Sequence, residues 1–273
     1  MNLTKNENSF ARAITDAKKL YYRDMPWRHE LGGTAEAAYK ILVSEIMLQQ
    51  TKVDRVVPKY KDFLVQFPNI ETLAHSNLSD VLKLWNGLGY NRRARYVHDA
   101  AKLLQSIHSP WSTADLLACK GIGPNTAAAV RVYAYNEPEI FIETNIRTVC
   151  IHYFFAQEKS VTDSQILHLV ERYIEKSDPR KWYWALMDEG ARLKGSKQAV
   201  ITKSASYKKQ PTFQGSRRQI RGNVLKLLIA GPVLEELVLD QIQDMRTNEV
   251  IKQLQCEGLV SCKLGVLHLG TIE

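Results

Sequence analysis

Glu45 stands in the stretch VSEIMLQQT, with Ile41, Leu42 and Leu48 around it at helical spacing. A carboxylate among such apolar side chains is costly to ionise, and a protonated carboxylic acid is what general acid catalysis requires. The same spacing also suits an exposed glutamate at a helix edge, the commoner setting for an acidic side chain. Glu143 follows the apolar run Ile140-Phe141-Ile142 and precedes a helix start at Thr144 or Asn145. It can complement the dipole of that helix, or serve as a fixed anion where positive charge develops in a reaction. One acid and one carboxylate on either side of a nucleic-acid groove fit cleavage of a glycosidic bond.

Between the two carboxylates lies LLACKGIGPNTAAAV, a short apolar helix, a tight Gly121-Ile122-Gly123 turn and an alanine-rich helix. The glycines leave room for a phosphate to approach main-chain N–H groups, and the following helix begins there with its positive end outward. A Gly-x-Gly turn between helices is also simple connection chemistry. Trp27 in Met25-Pro26-Trp27-Arg28, Gln49 and Gln50 at a helix end, and Tyr90 after Gly87-Leu88-Gly89 are aromatic and amide side chains suited to handling a base. Each taken singly also suits packing or capping.

The elements that must position these residues read as helices up to about Lys194. The first is expected from Ser9 to Arg23. Thr34 caps a second through Gln49, and Thr51 caps a third reaching Phe67 with Pro58 inside it. Ser79 opens the next, ending in the Asn86 to Tyr90 turn, and Asn91 to Ile107 forms a long helix with Arg92, Arg93 and Arg95 in its first turns. Beyond the hairpin, helices follow from Thr144 or Asn145, from Thr162, and from Asp178 or Pro179 to Leu193. Residues 195–212 lack periodicity. From Gln214 onward, three helices and a strand pair over Leu259 to Leu269 suggest a winged helix.

The 273-residue chain is 45% hydrophobic, enough for one or two domains and an appendage. Its net charge is +8, yet Arg192, Lys194, Lys197, Lys203, Lys208, Lys209, Arg217, Arg218, Arg221 and Lys226 fall in a stretch without Asp or Glu between Gly190 and Leu234. These ten cations exceed the net charge, so the remainder is close to neutral and the segment suits a polyanion. No apolar run nears the ~20 residues of a bilayer span, and MNLTKNENSF lacks the apolar core of a secretory signal. A soluble, cytoplasmic protein is expected, nucleoid-associated in a prokaryote. Cys119, Cys150, Cys256 and Cys262 are scattered without the clustering of a zinc or iron–sulfur site, and reduced, mostly buried thiols are expected.

VSEIMLQQT, LWNGLGY with its arginine-rich helix, KGIGPNTAAAV and ETNIRTV occur in the order and spacing of the helix-hairpin-helix DNA glycosylases. The chain most resembles the MutY family of adenine DNA glycosylases over roughly Ala11 to Lys194. The resemblance implies an all-α, two-lobed fold over 1–195, with a barrel lobe over about 30–140 and a second lobe from the N-terminal helix plus 141–195. A basic linker at 196–213 and the winged-helix-like module at 214–273 complete the expected organisation. In that family a base is flipped out of the duplex into a pocket. Glu45 then matches the acid that protonates the leaving adenine, Glu143 the usual aspartate that stabilises the sugar cation, and Asn145 the asparagine beside it. Gln50 matches a side chain wedged into the base stack, Tyr90 a tyrosine near it, and Met25, Trp27 and Arg28 line the pocket. Gln49, paired with Gln50, favours the adenine branch. Gly121, Gly123, Asn125 and Thr126 belong to the hairpin that grips DNA, and the carbonyls of Leu117, Cys119 and Ile122 match those that hold Na⁺ or K⁺ in relatives.

Three departures accompany the resemblance. Glu143 is one methylene longer than the usual aspartate, a change that matters at a reacting centre. Asn125 replaces the nucleophilic lysine of bifunctional relatives, so monofunctional hydrolysis is implied. The iron–sulfur cysteines and the domain that recognises 8-oxoguanine are missing, so no cofactor is required. The expected partner is double-stranded DNA with a mismatched or damaged base, bound by a monomer without a membrane. Adenine opposite a damaged or normal purine is the leading substrate. Thymine, uracil or another altered base is the alternative, and a catalytically inactive DNA-structure-binding protein is the alternative of another class.

Overall fold

The computed structural model of the chain describes residues 4–195 and 200–271. In chain order the helices of the first half are α1 (Lys5–Leu20), α2 (Ala35–Leu48), α3 (Val53–Gln66), α4 (Ile70–Ala74), α5 (Leu78–Trp85), α6 (Arg92–Leu104) and α7 (Thr113–Ala118). The second half runs α8 (Pro124–Tyr135), α9 (Thr144–Phe154), α10 (Asp163–Tyr173), α11 (Pro179–Gly195), α12 (Arg217–Ala230), β1 (Val233–Leu234), α13 (Glu235–Ile242), α14 (Thr247–Cys256), β2 (Val260–Lys263) and β3 (Val266–Leu269). Two compact units emerge, Met1–Ala38 with Gly123–Lys209, and Tyr39–Ile122 with Gln210–Glu273. The expected barrel lobe over 30–140 therefore contracts at both ends, and residues 210–273 join the middle of the chain instead of standing as a separate module.

Caps set most helix starts. Thr34 accepts the Ala37 N–H at 3.1 Å as its position predicts, and Thr162 with Gln165 forms a reciprocal box at α10. α1 begins earlier than expected because Thr4 and Glu7 make such a box, the Glu7 carboxylate accepting the Thr4 N–H at 2.7 Å. Lys52 and Asn77, not Thr51 and Ser79, stand at the starts of α3 and α5. The one-turn α4, capped by Asn69, has too few residues to show a period. Pro58 is accommodated within α3.

In the first unit, Phe10 of α1 packs against Phe154 and Tyr173, and Phe141 stacks on Tyr183 of α11 at 4.2 Å between ring centres. Part of the expected linker is structured here: the Val161 N–H donates to the Lys203 carbonyl at 2.8 Å, and the Ala205 N–H to that of Val161 at 2.9 Å. Ser204 is buried beside them. Lys197, one of the ten cations, lies outside the described residues.

The second unit is built around Arg93, which is 5% exposed. Its Nη1 donates to the carbonyls of Ile46 and Met47, each at 2.8 Å. Nη2 reaches Thr51 Oγ1 at 2.9 Å, the Gly89 carbonyl at 2.9 Å and that of Leu88 at 3.3 Å, and Nε reaches the Tyr90 carbonyl at 3.4 Å. The C-terminal carbonyls of α2 form the negative end of its dipole, which complements a cation that no described carboxylate pairs with. Burial brings the guanidinium down to about 10, still charged near neutral pH.

In the C-terminal segment α12, α13 and α14 carry an antiparallel sheet of order β1-β3-β2, the winged-helix pattern with one strand more than expected. Its attachment explains why it does not stand alone. Glu257 pairs with both Arg92 and Arg221, and Arg95 donates to the Glu257 carbonyl. Gly258 and Gly270 permit close approach, because a Cβ at Gly258 would strike the Arg95 guanidinium and one at Gly270 would lie 3.1 Å from the Ser79 nitrogen. Arg217 similarly pairs with Glu249. Several cations expected to face a polyanion are thus committed within the fold.

Replacing Arg93 with Met should cost about 3 kcal/mol or more, since buried carbonyls lose a charged donor. Urea unfolding of the full chain measures this, and Arg93→Lys should recover only part because an ammonium lacks the planar fork. A loss below about 1 kcal/mol for Arg93→Met would show that the cage is not structurally important.

Candidate active site

Glu45 sits on α2 between Ser44 and Ile46, both buried, and is itself half-buried. The structure thus places it between the two settings open in the sequence, neither sealed in the core nor on an outer edge. The carbonyls of the next two residues are those held by Arg93, so the backbone carrying Glu45 is anchored directly beyond it. Gln49 donates to the Gly121 carbonyl at 3.4 Å. Gln50 is exposed with φ 55°, and Tyr90 is half-buried with φ 48°. Positive φ costs a non-glycine residue about 1–3 kcal/mol and recurs where function demands a fixed geometry. Gln49, Gln50, Tyr90, Arg92, Arg218 and Arg221 line a cavity of about 390 Å³ within this unit.

The hairpin glycines differ in role. Gly121 has φ 88°, and a Cβ there would collide with the Tyr96 ring. Gly123 has extended backbone at the start of α8, with open space where a Cβ would be. Lacking a side chain to cap the helix, it leaves the positive end of α8 open to an outside acceptor, and Asn125 and Thr126 lie in that first turn. The Cys119 carbonyl accepts the Ile122 N–H at 3.1 Å, which leaves its second lone pair for a cation. Burial pushes the Cys119 thiol up to about 11 and the Cys150 thiol up to about 12, whereas Cys256 and Cys262 are exposed, so only half the thiols are buried as expected. Among the described residues no group of His, Cys, Asp and Glu is arranged to hold a metal ion.

In the other unit Glu143 is itself the N-cap of α9, its carboxylate accepting the Asn145 N–H at 2.7 Å. The longer side chain folds back to do what aspartate, a preferred capping residue, does with one methylene fewer. Among the described residues no cation forms an ion pair with it within 4.0 Å, although Lys194 and Arg147 lie near enough to feel its charge. The Asn145 side chain accepts from Lys194 Nζ at 2.6 Å and donates to Met187 Sδ at 3.7 Å. Asn125 Oδ1 accepts the Ile142 N–H at 3.4 Å, tying the start of α8 to the segment that leads into Glu143.

α11 passes against this cap at Gly190. A Cβ there would lie 2.5 Å from Asn145 Cβ and 2.7 Å from its carbonyl oxygen. A glycine in the interior of a helix is the sequence signal for such an approach. Lys194 carried no signal beyond its place among the basic residues. Met25 and Trp27 are buried, 5% and 6% exposed. Arg28, expected to line the pocket, is instead spent on the fold: its Nη1 and Nη2 grip Asp188 at 2.7 and 2.9 Å, and Asp188 also accepts from Arg23 Nε at 2.6 Å. A 3% exposed arginine beside an aspartate on the next packed helix is better satisfied by that carboxylate than by a neutral ligand.

Residues 43–176 match the model of the HhH-GPD superfamily base excision DNA repair proteins. The chain carries an HhH-GPD superfamily domain. It is 36% identical over 184 residues to an adenine DNA glycosylase of Buchnera aphidicola subsp. Baizongia pistaciae, covering 63% of this chain and 52% of that protein. An adenine DNA glycosylase of Mycolicibacterium smegmatis is 29% identical over 225 residues, covering 76% of this chain and 75% of the relative. The chain spans about half the length of the Buchnera relatives it matches. Among solved structures, a thermostable thymine-DNA glycosylase aligns with TM-score 0.60 and 25% identity, covering 68% of this chain and 87% of the other. The all-helical glycosylase fold read from the sequence is thereby established.

Gly190→Ala tests how tightly the Glu143 cap is held. The added methyl meets backbone, so it should cost about 1–3 kcal/mol of stability in urea unfolding. Unaltered stability would mean that α11 does not constrain it.

Proposed function

We propose that the chain is a monofunctional DNA N-glycosylase that removes adenine from a mismatch with a damaged or normal purine in double-stranded DNA. The observation that carries the reading is the Glu143 cap, an anion fixed by the Asn145 N–H at 2.7 Å, in a domain of the base-excision superfamily. Glu45 donates its proton to the departing base as the N-glycosidic bond breaks and the bonding electrons leave with the base. Glu143 stabilises the sugar cation left behind, and water adds to it and returns its surplus proton to the Glu45 carboxylate, giving an abasic site. The start of α8 grips a backbone phosphate, and the carbonyls of Leu117, Cys119 and Ile122 suit a monovalent cation that neutralises charge beside it, although the chemistry needs no cofactor. Similarity to relatives named adenine DNA glycosylase supports the choice of base. Release of thymine is the second reading, favoured by the likeness to a thymine-DNA glycosylase structure.

Glu45→Gln should retain DNA binding and lose base release by at least ~100-fold, the scale for removing a general acid. Wild-type single-turnover rates in that variant would rule out the role. Glu143→Asp should keep measurable activity because aspartate can make the same cap, and Glu143→Ala should abolish it. Equal activity in all three forms would show that the reaction does not use this carboxylate.

With Asn125 at the hairpin, borohydride should trap little covalent protein–DNA adduct, and strand scission should need added alkali. Lys194 is the amine to watch, given its contact with Asn145. Strong trapping that Lys194→Gln abolishes would overturn the monofunctional assignment.

A further inference from the structure

Gly190 lets the backbone of α11 against Asn145, and Met187 and Lys194, about one turn to either side of it, both reach the Asn145 carboxamide. Lys194 Nζ donates to Oδ1 at 2.6 Å, and Nδ2 gives one hydrogen to Met187 Sδ at 3.7 Å. A thioether is a weak acceptor, so that second contact alone would not stop the carboxamide from turning over and exchanging its oxygen and nitrogen. The ammonium does stop it. It carries donors only, and with the nitrogen turned toward it two donors would face each other. Among the described residues no acceptor takes the other hydrogen of Nδ2, which is left for a partner outside the fold.

We propose that Lys194 is a positioning residue that locks the Asn145 carboxamide as a one-way donor, presenting its remaining N–H to an oxygen of the target deoxynucleotide. The inference rests on the glycosylase reading, which makes the Glu143 cap the place where that nucleotide sits. The sugar and phosphates beside the glycosidic bond offer oxygen acceptors, so a fixed donor is the polarity that suits them. The backbone N–H of the same Asn145 holds the Glu143 carboxylate at 2.7 Å, so one residue serves the anion through its main chain and the nucleotide through its side chain. Burial of the charged end lowers the Lys194 ammonium from the ordinary lysine value; of the charged groups facing it from other segments, Glu143 opposes that fall and Arg23 adds to it. Once neutral, the amine accepts as well as donates, and the lock is lost as pH rises.

Fluorescence anisotropy of the full chain on a duplex carrying a tetrahydrofuran abasic analogue tests this without requiring chemistry, with single-turnover base release measured beside it. Lys194→Arg, whose guanidinium is also donor-only, should bind within about twofold of the wild type, whereas Lys194→Gln, which can donate and accept, should bind roughly 3- to 10-fold more weakly, the worth of one hydrogen bond. Added to Asn145→Ala, Lys194→Gln should cost nothing further. Wild-type affinity should decline with rising pH below the ordinary lysine range, and Lys194→Arg should not follow it. A Lys194→Gln variant that binds like the wild type overturns the proposal. So does an equal loss with and without the Asn145 side chain, the behaviour of an independent phosphate contact, or an alkaline decline that Lys194→Arg shares. Base release without coupling between the two residues would remove the lock and leave the glycosylase reading intact. Coupling in binding without base release from any substrate would do the reverse.

Discussion

A buried guanidinium without a carboxylate partner is the interaction on which the Glu45-bearing unit depends. Arg93 gathers the last carbonyls of α2, the Thr51 hydroxyl, and the carbonyls of Leu88, Gly89 and Tyr90 around one charge. A buried cation is tolerable only when oxygen dipoles replace its water, and this cage supplies them from two chain segments that a shorter or less planar cation could not bridge. Glu45 directly precedes Ile46 and Met47, whose carbonyls the cage holds, and Gln50 and Tyr90, with their positive φ angles, adjoin Thr51 and Gly89 in the chain. The companion unit solves the problem differently. There Asp188 is shared by Arg23 and Arg28, and Glu143 is held by the start of its own helix.

Local signals in the sequence carried the helices and their order. Thr34 and Thr162 cap where their chemistry says, and the switch from helices to a strand pair after Gly258 marked the C-terminal element. What remained hidden were properties of partners far apart in the chain. Three arginines at the start of α6 look alike in a helical pattern, yet Arg93 turns inward to carbonyls while Arg92 and Arg95 engage Glu257, over 160 residues on. Arg28 likewise resembles a site cation until Asp188 packs against it. The C-terminal segment reads as separate because its attachment consists of single residues, Glu257, Gly258 and Gly270, which leave no periodic trace.

The candidate site was legible as residue types and not as geometry. Glu45, Glu143 and Asn145 followed from motif order, but that Glu143 folds back onto its own helix requires the backbone to be known. Gly190 could have been singled out as a glycine inside a helix; Lys194 could not, because nothing in its spacing points to Asn145. The basic stretch illustrates the limit of net charge as an argument. Its cations divide into those paired within the fold, such as Arg217 and Arg221, and those like Arg218 that keep an unneutralised charge at a cavity.

The central claim is chemical: an acid on α2 and an anion at the start of α9 release adenine from a mispair. Mass spectrometric identification of the free base, after the full chain is incubated with duplexes holding a single adenine, thymine or uracil opposite guanine or 8-oxoguanine, addresses it most directly. The account predicts free adenine, in amount equal to the abasic sites that alkali then cleaves, with the strand intact beforehand. Thymine or uracil released while adenine is retained, or no free base from any duplex, would contradict it.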